Sequence, residues 1–113
     1  MEKRVHAGLL LSFYGKMLTE RQREWLRLYY EDDLSLSEIA ETSGVTRQAA
    51  HDAIRRGERQ LEALEARLGL ASRWARICAG LETCRTALRA GDTAGAERIV
   101  EELLRQEEEQ DGV

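Results

Sequence analysis

The stretch Ser35 to Arg56, SLSEIAETSGVTRQAAHDAIRR, constrains the fold most. Ser35 and Glu38 have the S-x-x-E spacing of a capping box. In that box the serine oxygen accepts a first-turn amide and the glutamate reaches back to the serine N–H. Gly44 is the residue type that most cheaply ends a helix in a left-handed conformation, and Thr46 offers a second N-cap just after it. A short helix, a glycine turn and a second capped helix are the parts of a helix-turn-helix, whose second helix usually reads nucleic acid.

The remaining chain predicts further helices. None of the 113 residues is proline, so no helix interior is interrupted that way. Punctuation falls to Gly15, Gly44, Gly69 and Gly91. An opening helix is predicted over Lys3 to Phe13, with Val5, Leu9, Leu10 and Phe13 on one stripe. Thr19 and Gln22 form a second capping box. After it Trp25, Leu28 and Tyr29 face inward, and Arg21, Arg23, Glu24 and Arg27 line the other side. The third helix carries Leu36, Ile39 and Ala40 inward. The fourth carries Ala50, Ala53, Ile54 and Leu61, and continues through Leu64 and Leu68 to Gly69. Ala49, Ala50, Ala53 and Gly57 would let it approach its neighbours closely.

Residues 71–113 read as a helical hairpin with a three-residue connection. Trp74, Ile77, Cys78, Leu81 and Leu88 form one stripe, Gly91 stops that helix, and Asp92 caps the next. Ala96, Ile99, Val100, Leu103 and Leu104 lie inside, and the acidic end from Glu107 to Val113 is expected to fray. The expectation is therefore all-α: a helix-turn-helix domain over residues 1–70 and a hairpin over 71–113.

Charge is unevenly distributed, with the acidic excess in the last part of the hairpin. Residues 1–76 balance at +1 and residues 77–113 at −5, which together make the net −4. The fourth helix is locally basic, with Arg47, Arg55, Arg56 and Arg59 against Asp52 and Glu58. The first 76 residues nevertheless lack the strong positive charge of most nucleic-acid-binding domains. No run approaches the roughly 18 to 20 apolar residues that span a bilayer. The N-terminal apolar patch is too short for a signal segment, which predicts a cytoplasmic protein without membrane insertion. Cys78 and Cys84 lie about 9 Å apart along one helix, beyond disulfide reach. With His6 and His51 as the sole histidines, no metal-ligand spacing occurs. No phosphate loop, paired catalytic carboxylates or nucleophile motif points to an enzyme, and no cofactor is expected.

Residues 9–70 resemble a bacterial family of small proteins called YlxM or p13. The matching segments are LSFYG (Leu11 to Gly15), LTERQREWLRLYY (Leu18 to Tyr30), DLSLSEIAE (Asp33 to Glu41) and TRQAAHDAIRR (Thr46 to Arg56). The helix-turn-helix alone is also similar to region 4 of sigma factors. The resemblance implies a regulatory accessory protein of the signal recognition particle pathway, because the family's gene lies beside those for the particle's GTPase and its receptor. This chain has Ala50 and His51 where the family more often carries a larger aliphatic and an aromatic. The smaller Ala50 predicts looser packing there.

If the fourth helix enters a major groove, Arg47, Gln48, His51 and Arg55 share its open side. Arginine pairs with guanine and glutamine with adenine, each good pair contributing about 1–3 kcal/mol of discrimination. Thr46 offers a hydroxyl and backbone amides to a phosphate, and Arg56, Arg59 and Arg21 add phosphate contacts. The competing reading is a solvated polar helix face. Trp25 and Tyr29 fit core packing, whereas Tyr30 is off their stripe and is a surface candidate for base stacking. The expected partners are DNA or signal recognition particle RNA. A protein-interaction module that binds the particle's GTPase or its receptor is the alternative. The hairpin completes the core or forms a homodimer interface.

Overall fold

A computed structural model describes residues 3–111, and every regular element in that range is helical. The order is α1 (Lys3–Tyr14), a 3-10 turn (Gly15–Met17), α2 (Glu20–Tyr30), α3 (Leu36–Ser43), α4 (Arg47–Leu68), α5 (Leu70–Arg89) and α6 (Thr93–Asp111). The chain forms two compact units, Met1–Ala71 and Ser72–Val113.

In the first unit the helix starts follow local hydrogen bonding. Thr19 accepts from the Gln22 N–H at 3.1 Å while the Gln22 side chain accepts from the Thr19 N–H. Ser35 and Glu38 close the same reciprocal pair, which holds the Glu38 carboxyl below its ordinary range. Thr46 accepts from the Ala49 N–H at 3.0 Å. Each cap removes an orphan donor from a first turn.

The core joins α1 to α4. Tyr14, Leu10, Leu26, Ile39 and Leu61 are its largest fully buried side chains. Burying a large apolar side chain contributes about 1.5–3 kcal/mol. Gly57 lets α4 meet α2 closely, since a Cβ there would lie 2.8 Å from Leu26 Cδ1. Ala50 is 0% exposed, so its small size brings close packing rather than the expected looseness.

The inward face of α1 differs from the expected stripe. Ala7, Leu10, Leu11 and Tyr14 are buried, Leu9 and Phe13 pack at the margin, and Val5 is exposed. The helix therefore extends one residue past Phe13, because Tyr14 is a core residue with its hydroxyl satisfied. That hydroxyl donates to Glu65 Oε1 at 2.5 Å and accepts the Leu70 N–H at 3.0 Å. Glu65 Oε1 also accepts the Ala71 N–H, so a buried phenol and a carboxylate together cap the start of α5. Burial and the bond to Glu65 push the Tyr14 pKa up. Leu26 is fully buried although it was not expected in the α2 stripe, and Leu68 is half exposed rather than inward.

The second unit is the hairpin. Gly91 turns the chain at φ +78, and Asp92 Oδ1 accepts the Gly95 N–H at 2.8 Å, which caps α6. The seam is lined by small residues. Cys84, Gly95 and Ala96 are buried, and a Cβ on Gly80 would meet Leu103 Cδ2 at 2.7 Å. Trp74, Leu81, Leu88, Val100 and Leu104, all expected inside, are instead 41–58% exposed. Two helices that approach over glycine and alanine turn their long side chains to the flanks. α6 runs on through this acidic segment to Asp111, and Glu107 pairs with Arg73 and Arg76. Gly112 and Val113, the end of the expected frayed segment, lie outside the described residues. Among those described, no helix is long and apolar enough to cross a membrane, and Cys78 and Cys84 are free thiols.

Candidate nucleic-acid interface

The helix-turn-helix comprises α3, a three-residue turn and α4. Gly44 adopts φ +70, and the Val45 N–H bonds to the Ala40 carbonyl, so α3 stops without a stray donor. Extended Thr46 then starts α4. Ile39 and Ala40 of α3 share the core with Ala50 and Ile54 of α4. With that face committed, the opposite side of the first three turns of α4 is open to solvent. The same packing leaves the N–H groups of Arg47 and Gln48 at the helix start, where the dipole favours an anion.

The seven residues expected to touch nucleic acid are spread around α4. Thr46, Arg47, Gln48, Arg55, Arg56 and Arg59 are exposed and His51 is half buried. Gln48 Nε2 donates to Asp52 Oδ1 at 2.9 Å, and His51 Nδ1 lies 3.4 Å from the same oxygen. Asp52 thus holds two of the candidate readers in place and cancels charge at the centre of the face. Arg55 Nη1 donates to Glu58 at 3.2 Å. Arg47 and Arg56 make no ion pair with any described residue.

Three grooves flank the helix. Arg56 lines one beside Arg21, Gln22 and Trp25, where the Arg21 guanidinium lies 4.5 Å from the Trp25 ring centroid. Arg59 lines a second with Lys3, His6 and Glu62. His51 and Arg55 line the third, a cleft of about 310 Å³ that also takes in Tyr29, Tyr30 and Leu36. Lys3 and Arg4 of α1 close it, and Ile54 and Glu58 complete the α4 wall. Tyr30 is neither fully exposed nor fully core. It packs against the core and also lines this cleft.

Sequence reasoning missed the contribution of α1. Lys3 and Arg4 were read only as helix residues. It also missed the pairings of Asp52 and Glu58, for which the i, i+4 spacing from Gln48 and the i, i+3 spacing from Arg55 were available signals. Glu58 is buried enough that its carboxyl is pushed up, with Lys3 and Arg59 opposing that shift. No cluster of metal-ligating side chains occurs among the described residues.

Comparison with known proteins agrees with this architecture. Residues 1–87 match the UPF0122 family, described as "Putative helix-turn-helix protein, YlxM / p13 like". A UPF0122 protein of Symbiobacterium thermophilum is 45% identical over 96 residues, which is 85% of this chain and 90% of that protein. One from Clostridium acetobutylicum is 49% identical over 76 residues, 67% of this chain and 66% of its own length. One from Desulforamulus reducens is 52% identical over 67 residues, 59% and 57% of the two lengths. The chain thus spans about two thirds or less of those last two relatives. With a matched segment that takes in all of α1 to α4, this chain belongs to the YlxM/p13-like helix-turn-helix family.

Proposed function

We propose that this protein is a non-enzymatic, nucleic-acid-binding accessory or regulatory protein, with α4 as its recognition helix. The observation that carries the reading is the capped start of α4, with Thr46, Arg47 and Gln48 exposed around unspent backbone amides and Arg55 two turns along the same side. The first turns of a recognition helix contact base edges and phosphates in this way. The family resemblance supports action in the signal recognition particle pathway, on DNA or on the particle's RNA, in the cytoplasm.

Fluorescence anisotropy on a labelled duplex over a salt series tests this reading. Replacing Arg47 and Arg55 by alanine is expected to lower affinity at least about tenfold and to flatten the salt dependence. Unchanged affinity in the double variant would reject it.

A second reading is a protein-interaction module that binds the particle's GTPase or its receptor. The +1 balance of residues 1–76 and the pairing of Gln48, His51 and Arg55 with carboxylates favour it. Nuclease-resistant co-purification with the GTPase would support it. The seven-residue spacing of Trp74, Leu81 and Leu88 supports homodimerisation, checked by light scattering of the full chain.

A further inference from the structure

The cleft beside α4 has a composition that helix packing does not require. Arg4 is held at its rim by two hydrogen bonds from Nη1, to the Tyr29 carbonyl at 2.7 Å and to Asp33 Oδ1 at 2.6 Å. Its guanidinium lies 5.3 Å from the Tyr29 ring centroid and 5.7 Å from that of Tyr30. The two rings meet edge to face at 5.0 Å. A long side chain that solvates easily is here fixed with its planar cation within cation–π reach of two aromatic rings. We propose that this cleft takes one unpaired nucleotide of a nucleic acid whose paired stem lies on α4, with the base stacked on the Arg4–Tyr30 platform and its phosphate between Lys3 and Arg55.

Four observations point the same way. Guanidinium planes and tyrosine rings are the surfaces on which splayed-out bases stack. Asp33, which orients Arg4, is the one non-glycine residue at positive φ among those described, at +56. Such conformations gather at ligand-holding sites. The cleft volume of about 310 Å³ is at the small end for ligand sites and suits a single nucleotide. Glu58, the one carboxylate in the cleft wall, can accept from an exocyclic amino group, as a carboxylate does from cytosine.

The cleft is continuous with the open side of α4. His51 and Arg55 belong both to the cleft and to the side of α4 that carries Arg47 and Gln48. One nucleic acid can therefore engage both without crossing the helix. A fully paired duplex cannot fill the cleft unless it flips a base, which costs a few kcal/mol, whereas a bulged nucleotide is already unstacked. The inference rests on the reading of α4 as a nucleic-acid face.

The test measures anisotropy of the full chain with four labelled probes: a paired RNA hairpin, the same hairpin with one bulged nucleotide, and the paired and bulged DNA counterparts. The bulged RNA is expected to bind about tenfold tighter than the paired hairpin, the scale of one stacked base. Arg4→Lys keeps the charge but removes the plane, and Tyr30→Leu keeps apolar bulk but removes the ring. Both are expected to erase the bulge preference and to leave paired-stem affinity within about twofold, whereas Arg47→Ala weakens all probes alike. Circular dichroism checks folding, and Arg4→Lys at an exposed site carries the test if Tyr30→Leu unfolds. An equal gain on DNA assigns recognition to the base, and a gain on RNA alone adds the 2′-hydroxyl. Equal binding of bulged and paired probes, or a bulge gain that survives both variants, overturns the cleft assignment. If the paired stem still binds through Arg47, the reading of α4 survives that result. Failure of every probe to bind overturns both.

Discussion

The two units solve the same packing problem in opposite ways. Residues 1–71 bury large side chains and bring small ones in only where helices must touch, as at Ala50 and Gly57. Residues 72–113 bury the small ones, Cys84, Gly95 and Ala96, and leave Trp74, Leu81 and Leu88 about half exposed. The first arrangement produces a core that dictates which faces stay open. The second gives a seam whose narrowness, set by Gly80 against Leu103, sends the apolar bulk outward. A helical stripe of large residues therefore reports an interior only when enough helices converge to enclose it.

The largest break in this contrast is expected at Leu26. Leu26→Ala empties a fully buried site against Gly57 and should cost about 2–5 kcal/mol in urea unfolding. Next comes Tyr14→Phe, which leaves the Leu70 N–H without its acceptor and takes one donor from Glu65. A loss of about 1–3 kcal/mol by the same measurement is expected. Thr46→Ala removes the cap of α4 and should lower stability by about 1 kcal/mol, with Thr46→Ser restoring it. Leu81→Ala in the hairpin should stay within about 0.5 kcal/mol of the parent; a loss as large as that at Leu26 would show that this flank is covered in solution.

The smallest expected effect is on pH. Glu38 has a depressed pKa in the folded chain, chiefly from the Ser35 backbone N–H. Its share of stability is present above the unfolded carboxylate pKa and is lost as pH falls through the folded value. In Glu38→Gln, which keeps an acceptor, that acid-side loss should shrink when thermal midpoints are compared across the carboxylate range.

Legibility in the sequence followed the range of the interaction. The boxes at Thr19–Gln22 and Ser35–Glu38 and the cap at Thr46 each join positions three apart, so spacing alone identified them. The inward face of α1 was less readable, because Leu9, Leu10 and Leu11 fit several registers. Tyr14, with a polar group, looked like an end rather than a core residue. Its acceptor Glu65 is 51 positions away, and no local pattern shows that pairing. The exposed residues of α4 followed from helical spacing, but the cleft did not. It depends on Arg4 reaching Asp33 across 29 positions and on the left-handed backbone of Asp33.

The chain's two tryptophans fall one to each unit, with Trp25 about 8% exposed under the Arg21 guanidinium and Trp74 about half exposed. Indole emission moves to longer wavelength in polar surroundings, so the native spectrum is a sum of two separable components. Trp25→Phe and Trp74→Phe turn the chain into a pair of single-colour reporters. With them, melting of the helix-turn-helix and of the hairpin can be followed independently, without attaching a label to either.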